Sequence, residues 1–148
     1  MAEYSGDHPV LDCQKSDTKK ETSMRSKNTT EYWGYHLVLD CQGCDRKKIT
    51  SRDQIYNFIK TLVKEIDMKA YKEPMIEHFA THNPDAAGFS FVQLIETSSI
   101  TGHLVDANGD AYIDVFSCKD FEIETVKKVL DKFFAPKKIK IIFLTRQA

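Results

Sequence analysis

Two amphipathic segments constrain the fold of this 148-residue chain most strongly, because each has the period of an α-helix. In the first, Ser51 and Gln54 form a capping box. Apolar residues then recur at steps of three and four: Ile55, Phe58, Ile59, Leu62, Val63 and Ile66. The second helix is predicted over residues 122–134 and stops at Pro136. Each apolar stripe must be buried against another layer.

The rest of the core has the pattern of β-strands. Strands are predicted at residues 36–41, 75–81, 88–96, 99–105, 111–117 and 139–144. Asn83-Pro84-Asp85 and Asn108-Gly109 are turn-forming and predict two hairpins, and a polar turn is expected at residues 43–48. The order predicts an α+β fold, a two-layer α/β sandwich with a mainly antiparallel sheet and two helices on one face. The other face is either wet or lies against a second subunit, where it could hold a site.

The N-terminal part differs in composition from the predicted core. Residues 1–32 are polar with almost no apolar periodicity, which predicts a disordered or loosely attached extension before one domain at residues 33–148. Residues 8–14 match residues 36–42 at six of seven positions. Because Pro9 would interrupt a strand, this first copy is interpreted as an unpacked remnant or a start-site artefact.

Charge and hydropathy exclude some classes of partner. Twenty-one Lys and Arg balance twenty-two Asp and Glu, for a net charge of −1 and a pI near 6.5, so we expect no nucleic-acid partner. No apolar run approaches the roughly 20 residues that span a bilayer, and the N-terminus is polar. We expect a cytoplasmic protein, and four cysteines in a chain of this length favour reduced thiols.

Chemically reactive residues are concentrated between positions 90 and 118. Ser98 follows Ser90 by eight residues and precedes His103 by five, and Cys118 lies fifteen residues after that histidine. Cys118 ends the run Asp114-Val115-Phe116-Ser117-Cys118. These spacings, with the first strand Gly34-Tyr35-His36-Leu37-Val38-Leu39-Asp40, resemble the prokaryotic, pyruvoyl-dependent S-adenosylmethionine decarboxylases over about residues 34–146.

The resemblance implies a role for each of these residues. The chain would cleave itself between Thr97 and Ser98, and Ser98 would become the pyruvoyl cofactor that forms a Schiff base with substrate. His103 would act as the processing base, since an imidazole exchanges a proton near neutral pH, and Ser90 would support processing by hydrogen bonding to the oxyester or the carbonyl. Cys118 would be the proton donor during decarboxylation, a task that suits a thiol.

The resemblance also implies a substrate and an assembly. S-adenosylmethionine would be decarboxylated for polyamine (spermidine) biosynthesis by a homodimer of cleaved protomers with active sites near the interface. Asp40 and Glu96 would contact the substrate, by analogy with acidic residues of the family pocket. Two departures stand near the cleavage site. Thr97 replaces the Glu that typically precedes the serine, and the segment after Ser98 lacks one His and a Pro-Glu pair of the family.

These departures leave two other functions open. One is a related pyruvoyl decarboxylase that acts on ornithine or arginine, which carbon dioxide release from each amino acid would distinguish. The other is an unprocessed, non-catalytic binding subunit, which would remain a full-length chain without decarboxylase activity.

Other motifs favour structural roles. Cys41-x-x-Cys44 lacks a second pair at metal-site spacing, which favours structural thiols, and His78 and His82 fall in a strand and turn rather than on a helix. We therefore expect no metal. The run Asp106 to Asp110 lacks the closing Glu of a calcium loop and favours a hairpin turn. A serine hydrolase is disfavoured because Gly-x-Ser-x-Gly is missing. Three lysines predict a solvated strand edge: Lys137, Lys138 and Lys140.

Overall fold

The first predicted helix begins as the capping box indicated. In the computed structural model, which describes residues 32–148, Ser51 is the N-cap and its side chain accepts a hydrogen bond from the backbone N–H of Gln54. The elements in chain order are β1 (Gly34–Gln42), α1 (Arg46–Ile49), α2 (Arg52–Glu65), β2 (Met75–Phe79), β3 (Gly88–Ile95), β4 (Ser98–Val105), β5 (Ala111–Ser117), α3 (Ile123–Phe134) and β6 (Lys138–Arg146). The predicted extension, including the first copy of the duplicated stretch, lies almost wholly outside the described residues.

One six-stranded sheet in the order β2-β3-β4-β5-β1-β6 contains all the strands of residues 32–148, and every neighbouring pair is antiparallel. Both predicted hairpins are confirmed. The lysine-rich strand β6 lies at one edge, with Lys138 and Lys140 exposed, as predicted.

The core lies between one sheet face and the helices α2 and α3. Phe58 of α2 is fully buried, and its ring centroid lies 4.5 Å from that of Phe134 and 6.2 Å from that of Phe91 in β3. Alternate strand residues such as Leu37 and Ile113 are also fully buried in this core. The predicted α+β sandwich with helices on one face is therefore confirmed, and the other sheet face has no helix of the described chain packed on it.

The polar segment at residues 43–48 was predicted as a turn, but it contains the start of the short helix α1. The helix forms because Asp45 caps it, its side chain accepting a hydrogen bond from the backbone N–H of Lys47 at 3.0 Å. The fully buried Ile49 attaches this helix to the core.

Candidate active site

The predicted cleavage site lies in the tight turn between β3 and β4. Ile95 pairs with Ser98, so Glu96 and Thr97 form a two-residue turn. Turns of this length usually place a positive φ on one or both central residues. Here the positive φ, 151°, falls instead on Ser98. Because L-residues rarely adopt such angles, the backbone of Ser98 carries strain of about 1–3 kcal/mol.

Thr97 is held at both its carbonyl and its side chain. Its carbonyl oxygen accepts a hydrogen bond from the backbone N–H of Cys118 at 3.0 Å. Its hydroxyl donates to Sδ of Met68 at 3.2 Å and accepts from Oγ of Ser117 at 2.9 Å. Ser117 is also the cross-strand partner of Ser98. The structure therefore brings Thr97, Ser98 and the half-buried Cys118 together.

The segment at residues 67–72 lies along this turn and fixes Glu96. The backbone N–H of Glu96 donates to the carbonyl of Lys69 at 2.9 Å, and its carboxylate forms an ion pair with the Lys69 ammonium at 2.7 Å. The hydrogen bond that the Lys69 ammonium donates to the Glu96 carboxylate raises the pKa of Lys69 above its usual value. Glu96, predicted to contact the substrate, is exposed in this structure and paired with a lysine.

Ser90 and His103 form the second group of predicted residues. They are opposite each other on β3 and β4, and Oγ of Ser90 lies 2.8 Å from Nδ1 of His103. Nε2 of His103 lies 3.1 Å from the carbonyl oxygen of Ala86. Because a carbonyl only accepts, Nε2 donates to Ala86, and in the corresponding neutral tautomer Nδ1 accepts a hydrogen bond from the Ser90 hydroxyl.

This pair is far from Ser98 within one chain. Five residues separate Ser98 from His103 along β4, which corresponds to about 16 Å. The buried neighbour Leu104 faces the helices, so His103 lies on the open face. The structure thus does not bring the predicted base to the predicted nucleophile of the same chain.

Asp40 lies in the same row of the open face as the Ser90 and His103 pair. Tyr112 of β5 is the cross-strand partner of both His103 and Asp40. This places Asp40 two strands from His103, or about 10 Å. An open depression of about 280 Å³ lies beside Asp40 and Tyr112, and the Lys140 ammonium is 4.0 Å from the Asp40 carboxylate.

The motifs that favoured structural roles have ordinary partners. Cys41 and Cys44 are buried, and burial raises the pKa of Cys44 to about 11 and that of Cys41 further. Asp106 pairs with His78 at 2.7 Å, and Asp110 accepts from the Asn108 amide at 2.9 Å within the predicted hairpin turn. Within residues 32–148, no three His, Cys, Asp or Glu residues are grouped as metal ligands would be.

Sequence reasoning assigned no role to Ser117 or Met68. Ser117 lies in the run from Asp114 to Cys118, so its proximity to the site could have been found from the strand register. Met68 has no such signal, because it approaches Thr97 only through the path of the segment after α2.

The fold and these residues describe a two-layer α+β protein. It has a strained serine in a hairpin turn and a Ser–His pair on an open sheet face. The sequence model of the S-adenosylmethionine decarboxylase family matches residues 35–147. The chain belongs to this family, which implies a decarboxylase and confirms the predicted resemblance.

Solved structures show the same fold. The crystal structure of the adenosylmethionine decarboxylase from Aquifex aeolicus VF5 matches with a TM-score of 0.68 and 22% identity, covering 80% of this chain and 94% of that chain. No curated protein gives a match. In the part of the chain from Tyr32 to Ala148, no helix is both long and apolar enough to cross a bilayer.

Proposed function

We propose that this protein is a self-processing, pyruvoyl-dependent decarboxylase that converts S-adenosylmethionine to its decarboxylated form in the cytoplasm, for spermidine biosynthesis. The observation that carries the proposal is the turn at Thr97 and Ser98. A strained serine follows a carbonyl that accepts a backbone hydrogen bond from Cys118.

The residues present fit the formation of a pyruvoyl group at position 98. Oγ of Ser98 attacks the carbonyl carbon of Thr97, the C–N bond breaks, and the hydroxyl proton ends on the released nitrogen, which gives an ester. Negative charge develops on the Thr97 oxygen during this attack, and the Cys118 N–H stabilises it. Relief of the unfavourable φ of Ser98 favours the same step.

A base must then remove the α-proton of Ser98. The Cβ–Oγ bond breaks, Thr97 leaves as a carboxylate, and hydrolysis of the resulting dehydroalanine releases ammonia. His103 is the proposed base, and the Ser90 hydroxyl orients its ring. Because His103 is about 16 Å from Ser98 along its own strand, we place this role across a homodimer, where His103 of one protomer serves Ser98 of its partner.

An open sheet face that meets a second copy would provide this arrangement. The face bears His103, Ser90 and Asp40 along one row and carries exposed apolar side chains such as Met75 and Leu94. Apolar groups favour burial in an interface, and an isologous dimer brings each protomer's row to the other.

A pyruvoyl group at position 98 would supply an electron sink for the decarboxylation of an amine substrate. Cys118 lies beside the cleavage turn and supplies a proton from its Sγ to the substrate α-carbon. Asp40 borders the open depression of about 280 Å³, where its carboxylate can bind a cationic or hydroxylated substrate. Glu96 would contribute only after leaving its ion pair with Lys69.

A second candidate function is decarboxylation of another amino acid, such as ornithine or arginine. The observation in its favour is the loss of a free carboxylate beside the cleavage site, since Thr97 replaces the family's Glu and Glu96 is paired with Lys69. Measuring carbon dioxide release from S-adenosylmethionine, ornithine and arginine under the same conditions separates the two candidates.

The first test is the intact mass of the purified protein under denaturing conditions. Fragments 1–97 and 98–148, with the mass of an N-terminal pyruvoyl on the second, are expected. A preparation that contains only the full-length chain and releases no carbon dioxide would contradict the proposal and support a non-catalytic binding subunit.

A further inference from the structure

We infer that Ser117 is a positioning residue for self-cleavage, which acts by fixing the side chain of Thr97. This inference rests on the proposed self-processing. Ser117 is fully buried at the end of β5 and lies opposite Ser98 in the strand register. It does not touch the reacting atoms, because its hydroxyl contacts the side chain of the residue whose carbonyl is attacked.

A directed chain of hydrogen bonds runs through Ser117. Its oxygen accepts from the backbone N–H of Lys119 at 2.9 Å, and its hydroxyl lies 2.9 Å from Oγ1 of Thr97. Oγ1 of Thr97 lies 3.2 Å from Sδ of Met68. Oγ1 of Thr97 donates to this sulfur and accepts from Ser117, whose Oγ lies 3.6 Å from the same sulfur. The Thr97 hydroxyl is therefore hydrogen-bonded on both sides.

Thr97 is therefore held at two independent points. Ser117 and Met68 fix its side-chain rotamer, and the Cys118 N–H fixes its carbonyl oxygen. A β-branched residue has few rotamers, so fixing Oγ1 also restrains the backbone that carries the carbonyl. The plane of that carbonyl sets the angle at which Oγ of Ser98 approaches the carbon, and such alignment strongly affects the rate of an intramolecular reaction.

The chemical step that Ser117 assists forms one bond and breaks one. The Oγ–C bond forms between Ser98 and Thr97, the C–N bond between the same two residues breaks, and the proton moves from Oγ to the released nitrogen. Ser117 neither gains nor loses a proton overall. Its contribution is the orientation of Thr97 before attack.

The experiment measures the rate of conversion of the full-length chain to fragments in cell-free translation. Ser117→Ala removes the hydroxyl, Ser117→Thr retains it, and Thr97→Val removes the Thr97 hydroxyl while keeping its shape. Ser99→Ala on the open face is the matched control.

We expect Ser117→Ala and Thr97→Val each to slow cleavage about tenfold, and Ser117→Thr to restore it to within about threefold of the wild type. The double variant that combines Ser117→Ala with Thr97→Val should cleave only slightly more slowly than either single variant, because both changes break the same chain of hydrogen bonds.

Hydroxylamine separates the first step from the later elimination. It cleaves the ester and so reports how much of the chain has undergone the first step. Ser117→Ala should lower the yield of this cleavage early in the time course, with a thermal midpoint only a few degrees below the wild type, because the change leaves the Lys119 N–H without its acceptor.

Four results would overturn the inference. Equal cleavage rates for Ser117→Ala and wild type would refute the role of Ser117 while leaving the proposed self-processing intact. Slow cleavage in both Ser117 variants with a lowered thermal midpoint, or additive effects in the double variant, would show a merely structural role. A wild-type chain that never cleaves would refute the proposed function, and this inference with it.

Discussion

The backbone N–H of Cys118 donates to the carbonyl oxygen of Thr97 at 3.0 Å, and this contact joins the end of β5 to the predicted cleavage turn. Cys118 therefore has two groups near the turn whose roles can be tested separately, its backbone N–H and its thiol. We propose that the backbone supports the processing step and that the thiol serves turnover.

Replacing Cys118 should separate these two steps. Cys118→Ala keeps the backbone N–H, so we expect cleavage at nearly the wild-type rate, with decarboxylation slowed about 100-fold or more because the proton donor is lost. Intact mass and carbon dioxide release measure the two effects on the same sample. Complete loss of cleavage in this variant would contradict the division of roles.

Ser98→Ala should abolish cleavage because no nucleophile remains. The full-length mass is expected as the only species, whereas Ser99→Ala, one residue further along β4, should yield both fragments. If Ser98→Ala still produced a chain with an N-terminal pyruvoyl, the assignment of the cleavage site would be wrong.

Co-expression of two inactive variants tests whether His103 acts across a dimer. His103→Ala alone should cleave slowly or not at all, by the 100-fold or more typical of a lost general base. Paired with Ser98→Ala, which supplies an intact His103, the His103→Ala chain should be cleaved. Distinguishable tags identify which chain yields fragments.

The result for His103→Ala is informative in either direction. If it remains intact both alone and with Ser98→Ala, while a mixed dimer is isolated, His103 acts within its own chain. If His103→Ala alone is cleaved at nearly the wild-type rate, the base is another residue. Ser90→Ala should lower the cleavage rate less than His103→Ala, because it removes the orienting hydroxyl but keeps the imidazole.

The raised pKa of Cys44 predicts slow alkylation. With a pKa of about 11, this thiol stays protonated at pH 8, and its burial limits access. Iodoacetamide labelling followed by peptide mapping should show little modification of Cys44 in the folded protein at pH 8 and rapid modification in denaturant. The Cys44 thiol ionises at a lower pH in the unfolded chain than in the folded protein. The free energy of unfolding should therefore fall as the pH rises from about 9 towards 11. Rapid labelling of folded Cys44 at pH 8 would refute this.

Phe58 should be among the costliest positions to truncate. It is fully buried between the helices and the sheet and contacts the ring of Phe134. We expect Phe58→Ala to lower the free energy of unfolding by about 3–5 kcal/mol. The exposed Asn57→Ala on the same helix should change it by less than about 0.5 kcal/mol. Urea denaturation measures both, and similar values would contradict the position of the core.

Local sequence signals determined most of the fold. The capping box at Ser51, the apolar stripe of α2 and the turn at Asn108-Gly109 each depend on residues a few positions apart, so their physical causes can be read directly from the chain. The spacing of Ser98, His103 and Cys118 also sufficed to indicate the family, which the match over residues 35–147 confirms. Asp45 as the cap of α1 was equally local, but its signal was interpreted as part of a turn.

The arrangement of the site was decided by tertiary structure. The sequence places Ser98 only five residues from His103, yet the extended strand separates them by about 16 Å. Conversely, Met68 is 29 residues from Thr97 and contacts it, and Cys118 reaches the Thr97 carbonyl from the end of another strand. Such contacts depend on strand register and on the path of a connecting segment, which are fixed by packing of the whole sheet and not by any local pattern.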